Sequence, residues 1–144
     1  MKLDLVEGSD SARIFQFFEI VDKEFSPPLS ERVNLTVYAN KLAAEAVNLF
    51  VVEGNRDIAH AAFYCNDIKF NVAYISSIAV LPNFHGSGVA GNLLDEIFER
   101  CLSKGMALLR LEVDVENLRA VKFYEKYGFQ IVSDNVMQRE IDGN

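Results

Sequence analysis

Ile78-Ala79-Val80-Leu81-Pro82-Asn83-Phe84-His85-Gly86-Ser87-Gly88-Val89-Ala90-Gly91 joins an apolar, β-prone run to three closely spaced glycines through a proline. A helical stripe follows at Leu93, Leu94, Ile97, Phe98, Cys101 and Leu102, and Gly105 sits where a glycine would end that helix. The reading over Tyr74 to Leu102 is strand, turn, helix. A glycine-rich turn at a helix N-terminus gathers backbone N–H groups that have no helical partner, and the helix dipole adds roughly half a positive charge there. Such a turn attracts an anion. Gly86 and Gly88 would let the backbone approach a pyrophosphate with no Cβ in the way, and Ser87 adds a hydroxyl donor. An ordinary glycine-rich turn carries the same residues, so the glycines alone do not decide the matter.

Gly86, Gly88 and Gly91 also satisfy G-x-G-x-x-G, and Glu112 lies 21 positions beyond Gly91, where a dinucleotide fold places its ribose acid. Against that reading, Pro82-Asn83-Phe84-His85 separates the strand from the first glycine, whereas the dinucleotide fingerprint needs its glycines directly after the strand. The flanking elements also supply too few β-α-β units.

Outward toward the N-terminus, Val72 to Leu81 reads as a strand. Asn48 to Glu53 and Ile58 to Cys65 are further β-prone runs, separated by Gly54-Asn55-Arg56-Asp57, with a second turn near Asn66-Asp67. These three make an antiparallel meander. Two helices precede it. Asp10 is placed to cap the first, with Ile14, Phe17, Phe18 and Val21 at helical spacing until Pro27-Pro28; Ser30 is placed to cap the second, with Val33, Val37, Tyr38 and Leu42 on one face. Met1 to Glu7 starts as an alternating strand. Toward the C-terminus, Leu108 to Val113 reads as a strand and Asn117 to Tyr127 as a helix with Leu118, Val121 and Tyr124 on one side. Phe129 to Val132 and Val136 to Ile141 read as a final strand pair. The order is β-α-α-β-β-β-α-β-α-β-β, an α/β (α+β) chain with no repeat, low-complexity tract or linker, expected to form a single domain over residues 1–144.

Composition bounds the function. Half of the 144 residues are hydrophobic and 24% are charged, with no run near the roughly 18 apolar residues of a membrane span. The formal charge of −7 argues against nucleic-acid or anionic-membrane partners, which need a basic face. An acidic surface can steer a cationic amine, although most acidic soluble proteins are acidic simply for solubility. Cys65 and Cys101 have no CxxC spacing and His60 and His85 lie far apart, so no metal site or disulfide framework is expected. The first residues lack the apolar run and cleavage site of a signal peptide, which leads to the expectation of a cytoplasmic protein.

Two segments together carry a resemblance. Ile78-Ala79-Val80-Leu81-Pro82 looks like the central strand of the GNAT superfamily of N-acetyltransferases, and His85-Gly86-Ser87-Gly88-Val89-Ala90 matches its Arg/Gln-x-x-Gly-x-Gly/Ala signature. Asn117, Ala120, Phe123, Tyr124, Lys126, Gly128 and Phe129 match its Asn-x-x-Ala-x-x-Phe-Tyr-x-Lys-x-Gly-Phe helix. The match covers Tyr74 to Phe129, and the rest agrees by element order. His85 departs from the pattern, standing where the family usually has Arg or Gln; backbone contacts to phosphate do not depend on that side chain.

The resemblance implies a GNAT fold, with a mixed central sheet of six to seven strands whose fourth and fifth strands splay apart. Acetyl-CoA would be the co-substrate and an amine the acceptor, and no metal would take part. The pantetheine arm would pair with the backbone of Ile78, Ala79 and Val80. The pyrophosphate would lie on His85, Gly86, Ser87, Gly88, Val89, Ala90 and Gly91, with Asn117, Ala120, Phe123 and Tyr124 completing the cofactor side. Asn117 would contact the pantetheine, cap its own helix, or do both.

An amine attacks only when neutral, so a base or a water relay is useful, and the departing thiolate needs a proton. Tyr124 matches the family tyrosine that supplies it; a packed aromatic is the plainer alternative. On the strand expected from Leu108 to Val113, Leu109, Leu111 and Val113 share one face, and Arg110, Glu112 and Asp114 the other. Leu111-Glu112-Val113, with Asn117 and Tyr124 at fixed distances beyond, resembles ribosomal-protein alanine N-acetyltransferases, where that Glu is the base. A Glu112 paired with Arg110 is the competing reading. Ser76 and Ser77 could hold a water relay instead, and His60 reads as a plain strand residue. The absence of an obvious Glu on Val72 to Leu81 keeps a non-catalytic acyl-CoA-binding or sensor domain as the alternative. The acceptor is not readable from the sequence, and a homodimer is only the commonest oligomeric arrangement.

Overall fold

The computed structural model describes Lys2 to Ile141; Met1, at the head of the first expected strand, and residues 142–144 of the expected domain lie outside it. The elements follow the expected order: β1 (Leu3–Glu7), α1 (Ser11–Val21), α2 (Leu35–Glu45), β2 (Val47–Glu53), β3 (Arg56–Tyr64), β4 (Val72–Val80), α3 (Val89–Ser103), β5 (Leu108–Glu112), α4 (Leu118–Lys126), β6 (Gln130–Ser133) and β7 (Val136–Glu140). Three 3-10 turns, Asp22–Glu24, Leu29–Glu31 and Pro82–Phe84, complete it.

The strands form a seven-stranded mixed sheet of order β1-β2-β3-β4-β5-β7-β6. β4 and β5 are parallel because the connection between them crosses over through α3, while the tight turns leave the β6–β7 pair antiparallel. The β4–β5 ladder runs from Val72↔Leu108 to Ile75↔Leu111, while β4 continues to Val80. The ladder stops there because β5 itself ends at Glu112, one residue beyond its last partner.

The chain groups into two compact units. The first holds residues up to Ala62 and Ser77–Leu93. Its core is built by α1, whose Ile14, Phe17, Phe18 and Val21 are all buried as their spacing predicts, together with Leu42 of α2 and Leu49, Phe50, Ile58 and Ala61 of the strands. Asp10 caps α1, accepting from the N–H groups of Ala12 and Arg13. The ion pair of Arg13 with Asp57 ties α1 to β3: Nε and Nη2 donate to the two carboxylate oxygens at 2.8 and 2.6 Å, with the guanidinium 4.0 Å over the Phe50 ring.

The start of α2 corrects the sequence reading. Its cap is Asn34, which accepts from Val37 N–H at 3.0 Å, not Ser30. Ser30 lies in the preceding 3-10 turn, where its N–H and hydroxyl both donate to the Asp22 carboxylate, and those two bonds hold the Asp22 carboxyl below its ordinary value. A side chain already engaged eight residues back cannot cap forward. Within α2, Ala39 and Leu42 are buried, while Val37, expected on the apolar face, is 64% exposed.

The second unit holds Phe63–Ser76 and the residues from Leu94 onward. Leu109 and Leu111 of β5 and Met137 of β7 point into its core, and Arg110 and Glu112 alternate outward as period-2 patterning requires. Leu94, Ile97 and Cys101 of α3 are buried, but Leu102 is 41% exposed because the helix ends one residue later. Leu118, expected on the inner side of α4, is 65% exposed in the first turn, and Val121 is the buried anchor of that helix.

Candidate active site

In the first unit the strand hands over to the helix through a closely bonded turn. Leu81 N–H donates to the Ile58 carbonyl at 2.8 Å, Phe84 N–H to Leu81 at 2.9 Å, and His85 N–H to Pro82 at 3.1 Å. Both the N–H and the hydroxyl of Ser87 donate to the Phe84 carbonyl, so the hydroxyl expected to face a phosphate serves the turn itself. Gly86 and Gly88 have φ of +79° and +87°, a region that L side chains rarely adopt, and nothing lies within 4 Å of a Cβ built on either. The glycines are therefore present for backbone conformation and leave open space above the chain.

The first intrahelical bond of α3 runs from Asn92 N–H to the Gly88 carbonyl at 3.0 Å. The N–H groups of Val89, Ala90 and Gly91 precede it and have no partner within the helix. Those donors, the dipole and the open space above Gly86 and Gly88 fit a pyrophosphate. Ile78, Ala79 and Val80 form the end of β4 just before this turn, with Ala79 and Val80 buried. His85, about one-third exposed, points its Nε2 back to the Val80 carbonyl at 2.9 Å.

The second unit holds the other expected residues. Asn117 caps α4, its Oδ1 accepting from Ala120 N–H at 3.2 Å. Phe123 and Tyr124 are half-buried with ring centroids 5.3 Å apart, and Tyr124 meets Phe129 edge-on at 5.7 Å. Burial pushes the Tyr124 phenol up to about 12, so it stays protonated at neutral pH. The helix end holds Tyr124 by its backbone: Phe129 N–H donates to the Tyr124 carbonyl at 3.1 Å and Gly128 N–H to Glu125 at 3.0 Å, a Schellman closure around Gly128 at φ +91°.

Glu112 closes β5 on the exposed face. The nearest cation on its strand, Arg110, donates through Nε to Gln138 Oε1 at 2.6 Å. The turn residues thus come together in one unit, and Glu112, Asn117, Ala120, Phe123 and Tyr124 in the other. The sequence reading missed Glu24, whose Oε1 lies 3.6 Å from His85 Nε2; no local pattern links two residues 61 positions apart. Among the described residues no group of three or more His, Cys, Asp or Glu could hold a metal ion, and no helix is long and apolar enough to cross a membrane.

Comparison with known proteins gives these features a family. An uncharacterised N-acetyltransferase of Methanocaldococcus jannaschii is 36% identical over 86 residues, 56% of this chain and 38% of that one. The [ribosomal protein bS18]-alanine N-acetyltransferase of Escherichia coli strain K12 is 33% identical over 69 residues, 48% of this chain and 47% of that one. The chain thus spans less than half the length of either relative. A crystal structure of the E. coli ribosomal-protein-S18-alanine N-acetyltransferase superposes with a TM-score of 0.79 at 18% identity, covering 99% of this chain and 96% of that one. That of the PaiA N-acetyltransferase from Thermoplasma acidophilum in complex with coenzyme A gives 0.74 at 15% identity, covering 97% and 99%. Both show the shared fold. The profile of the acetyltransferase (GNAT) family matches residues 14–129, from the first core helix through Phe129, and the chain belongs to that family.

Proposed function

We propose that this protein transfers an acetyl group from acetyl-CoA to a primary amine of a small molecule or peptide, by direct attack within a ternary complex. The observation that carries the reading is the turn at Gly86–Gly91, where left-handed glycines leave the approach open and three helix-initial N–H groups lack helical partners. Bound acetyl-CoA supplies the activated acyl carbon and a thiolate leaving group. Gly86, Gly88, Val89, Ala90 and Gly91 bind the pyrophosphate through backbone N–H groups, with Ser87 bracing the turn through the Phe84 carbonyl, and Ile78, Ala79 and Val80 pair with the pantetheine amides as an added strand would. Asn117 caps α4 and, with Ala120 and Phe123, flanks the cofactor.

Tyr124 holds its proton until the C–S bond breaks and gives it to the departing sulfur; its raised pKa keeps the donor form populated. Glu112, carboxylate outward at the end of β5, takes the proton lost by the amine, directly or through water. The same reading makes residues 1–144 a single acetyltransferase domain, cytoplasmic, without metal, nucleic-acid or membrane partner, and homodimeric if it assembles. The relationship to bS18-alanine N-acetyltransferases puts peptides with N-terminal alanine first among acceptors to try.

Calorimetry with acetyl-CoA and NADH, followed by an amine and peptide panel read by thiol release, tests this. Acetyl-CoA binding with turnover of at least one amine is expected. NADH binding without CoA binding would overturn the reading, and CoA binding with no turnover on any amine would favour an acyl-CoA sensor.

A further inference from the structure

His85 opens the glycine turn, yet its side chain does not reach forward. Its Nε2 lies 2.9 Å from the Val80 carbonyl oxygen. A carbonyl can only accept, so Nε2 carries the hydrogen and that donor is committed to the end of β4. The bond spans Leu81 and the 3-10 turn Pro82–Phe84, closing a loop around the whole entry to Gly86. Glu24, in the 3-10 turn after α1, brings its Oε1 to 3.6 Å from the same nitrogen. Both side chains are about one-third exposed, so the pair is accessible to water without being free in it.

The turn that follows needs such a hold. Gly86 and Gly88 sit at positive φ, and glycine has more conformations to lose on ordering than any other residue. A turn that must be ordered at the moment of binding binds more weakly than one already in place. A forward-pointing Arg or Gln would add a phosphate contact; His85 instead stiffens the frame that presents the backbone donors.

We propose that His85 is a positioning residue of the cofactor turn, holding Gly86–Gly91 in the pyrophosphate-binding conformation through the Val80 carbonyl, with Glu24 strengthening that hold across from the segment after α1. The proposal rests on the acetyl-CoA reading above. The charged side chain of Arg56, whose guanidinium lies 6.0 Å over the Phe84 ring, flanks the same turn and is left unchanged in the test.

CoA binding is measured by calorimetry for the full chain and for H85F, H85S, H85Q, E24Q and the E24Q/H85S double variant, with thermal midpoints taken alongside. H85F and H85S, which cannot reach Val80 with a donor, are expected to bind CoA about tenfold more weakly. H85Q, whose amide can donate to the same carbonyl, is expected to stay within about threefold of the wild type and to recover the ligand-free thermal midpoint that H85S loses, a recovery that a new phosphate contact alone would not give. E24Q is expected to weaken binding about threefold in the wild-type background and to have no further effect on top of H85S, because the two act through one contact. Wild-type affinity in H85S, or an E24Q effect of equal size in both backgrounds, overturns this role while leaving the acetyltransferase reading intact. A wild-type chain that binds no CoA overturns both.

Discussion

His60 Nε2 stands 3.0 Å from Asn48 Oδ1, and Asn48 Nδ2 donates to the carbonyls of Leu42 and Ala46 that end α2, at 2.8 and 3.3 Å. With the Asn48 amide nitrogen used on two acceptors, its oxygen faces His60, and Nε2 is the protonated nitrogen. His60 Nδ1 is buried with no partner, and the ring is enclosed by Phe17, Phe18 and Phe50, the nearest centroid at 4.9 Å. The plain strand residue of the sequence reading is a neutral buried link joining β2, β3 and the end of α2.

Burial pushes the His60 imidazole down from 6.5 to about 3. Below pH 6.5 the unfolded chain binds a proton that the folded chain refuses, so this contribution to stability is complete above pH 6.5 and lost as pH falls toward 3. The slope is about 1.4 kcal/mol per pH unit within that window. Urea unfolding at pH 7, 6 and 5 should show the decline, and H60Q should flatten it. An equally steep profile in H60Q would assign the decline to other groups.

N48A removes the partner of His60 Nε2–H and one of the donors to the Leu42 carbonyl, which still receives Ala46 N–H. A buried donor left without an acceptor costs about 1–3 kcal/mol, and equilibrium unfolding should show a loss of that size. A change below about 0.5 kcal/mol, the range of ordinary surface substitutions, would mean that water replaces the amide.

G88A tests the turn directly. The added Cβ meets nothing within 4 Å, so the penalty is the backbone at φ +87°, about 1–2 kcal/mol. CoA affinity should fall about tenfold by calorimetry. Unaltered affinity would remove the left-handed turn from cofactor binding.

Y124F should lower kcat about 100-fold or more and leave the Kd for acetyl-CoA within about threefold, because proton donation matters only as the sulfur departs. Since the phenol is held up to about 12, the wild-type rate should show no loss of the donor form below about pH 10. Stopped assays with an accepted amine, from pH 7 to 10, measure both, and unchanged kcat in Y124F would take the residue out of the mechanism.

G128A combines a left-handed backbone at φ +91° with a Cβ only 3.3 Å from Arg139 Nε. Arg139 lies over the Phe98 ring at 3.9 Å, so yielding space disturbs that contact as well. A loss of about 1–3 kcal/mol in thermal or urea unfolding is expected. Full stability would show that the Schellman closure after α4 tolerates a side chain.

Element order was legible because each element announces itself locally. Ile14, Phe17, Phe18 and Val21 repeat at helical spacing, Leu109 and Leu111 alternate with Arg110 and Glu112, and all eight behave as the periods require. The misread positions fail for identifiable reasons. Ser30 was taken by Asp22 before it could cap α2, and Leu102 and Leu118 sit in terminal turns, where a helix no longer has a neighbour to face.

By itself the sequence determined the strand-turn-helix at Tyr74 to Leu102, the glycines that permit positive φ at Gly86 and Gly88, and the Asn117 to Phe129 helix whose cap and Schellman end are encoded within a few residues. Those features depend on neighbours close in the chain, where side-chain type and backbone geometry are coupled directly. Only the tertiary structure decided that His85 bonds back to Val80 with Glu24 beside it, that His60 is neutral against Asn48, and that the Tyr124 phenol holds its proton up to about 12. Each of these depends on burial or on a partner delivered by another element, and desolvation and long-range contact leave no mark in local periodicity.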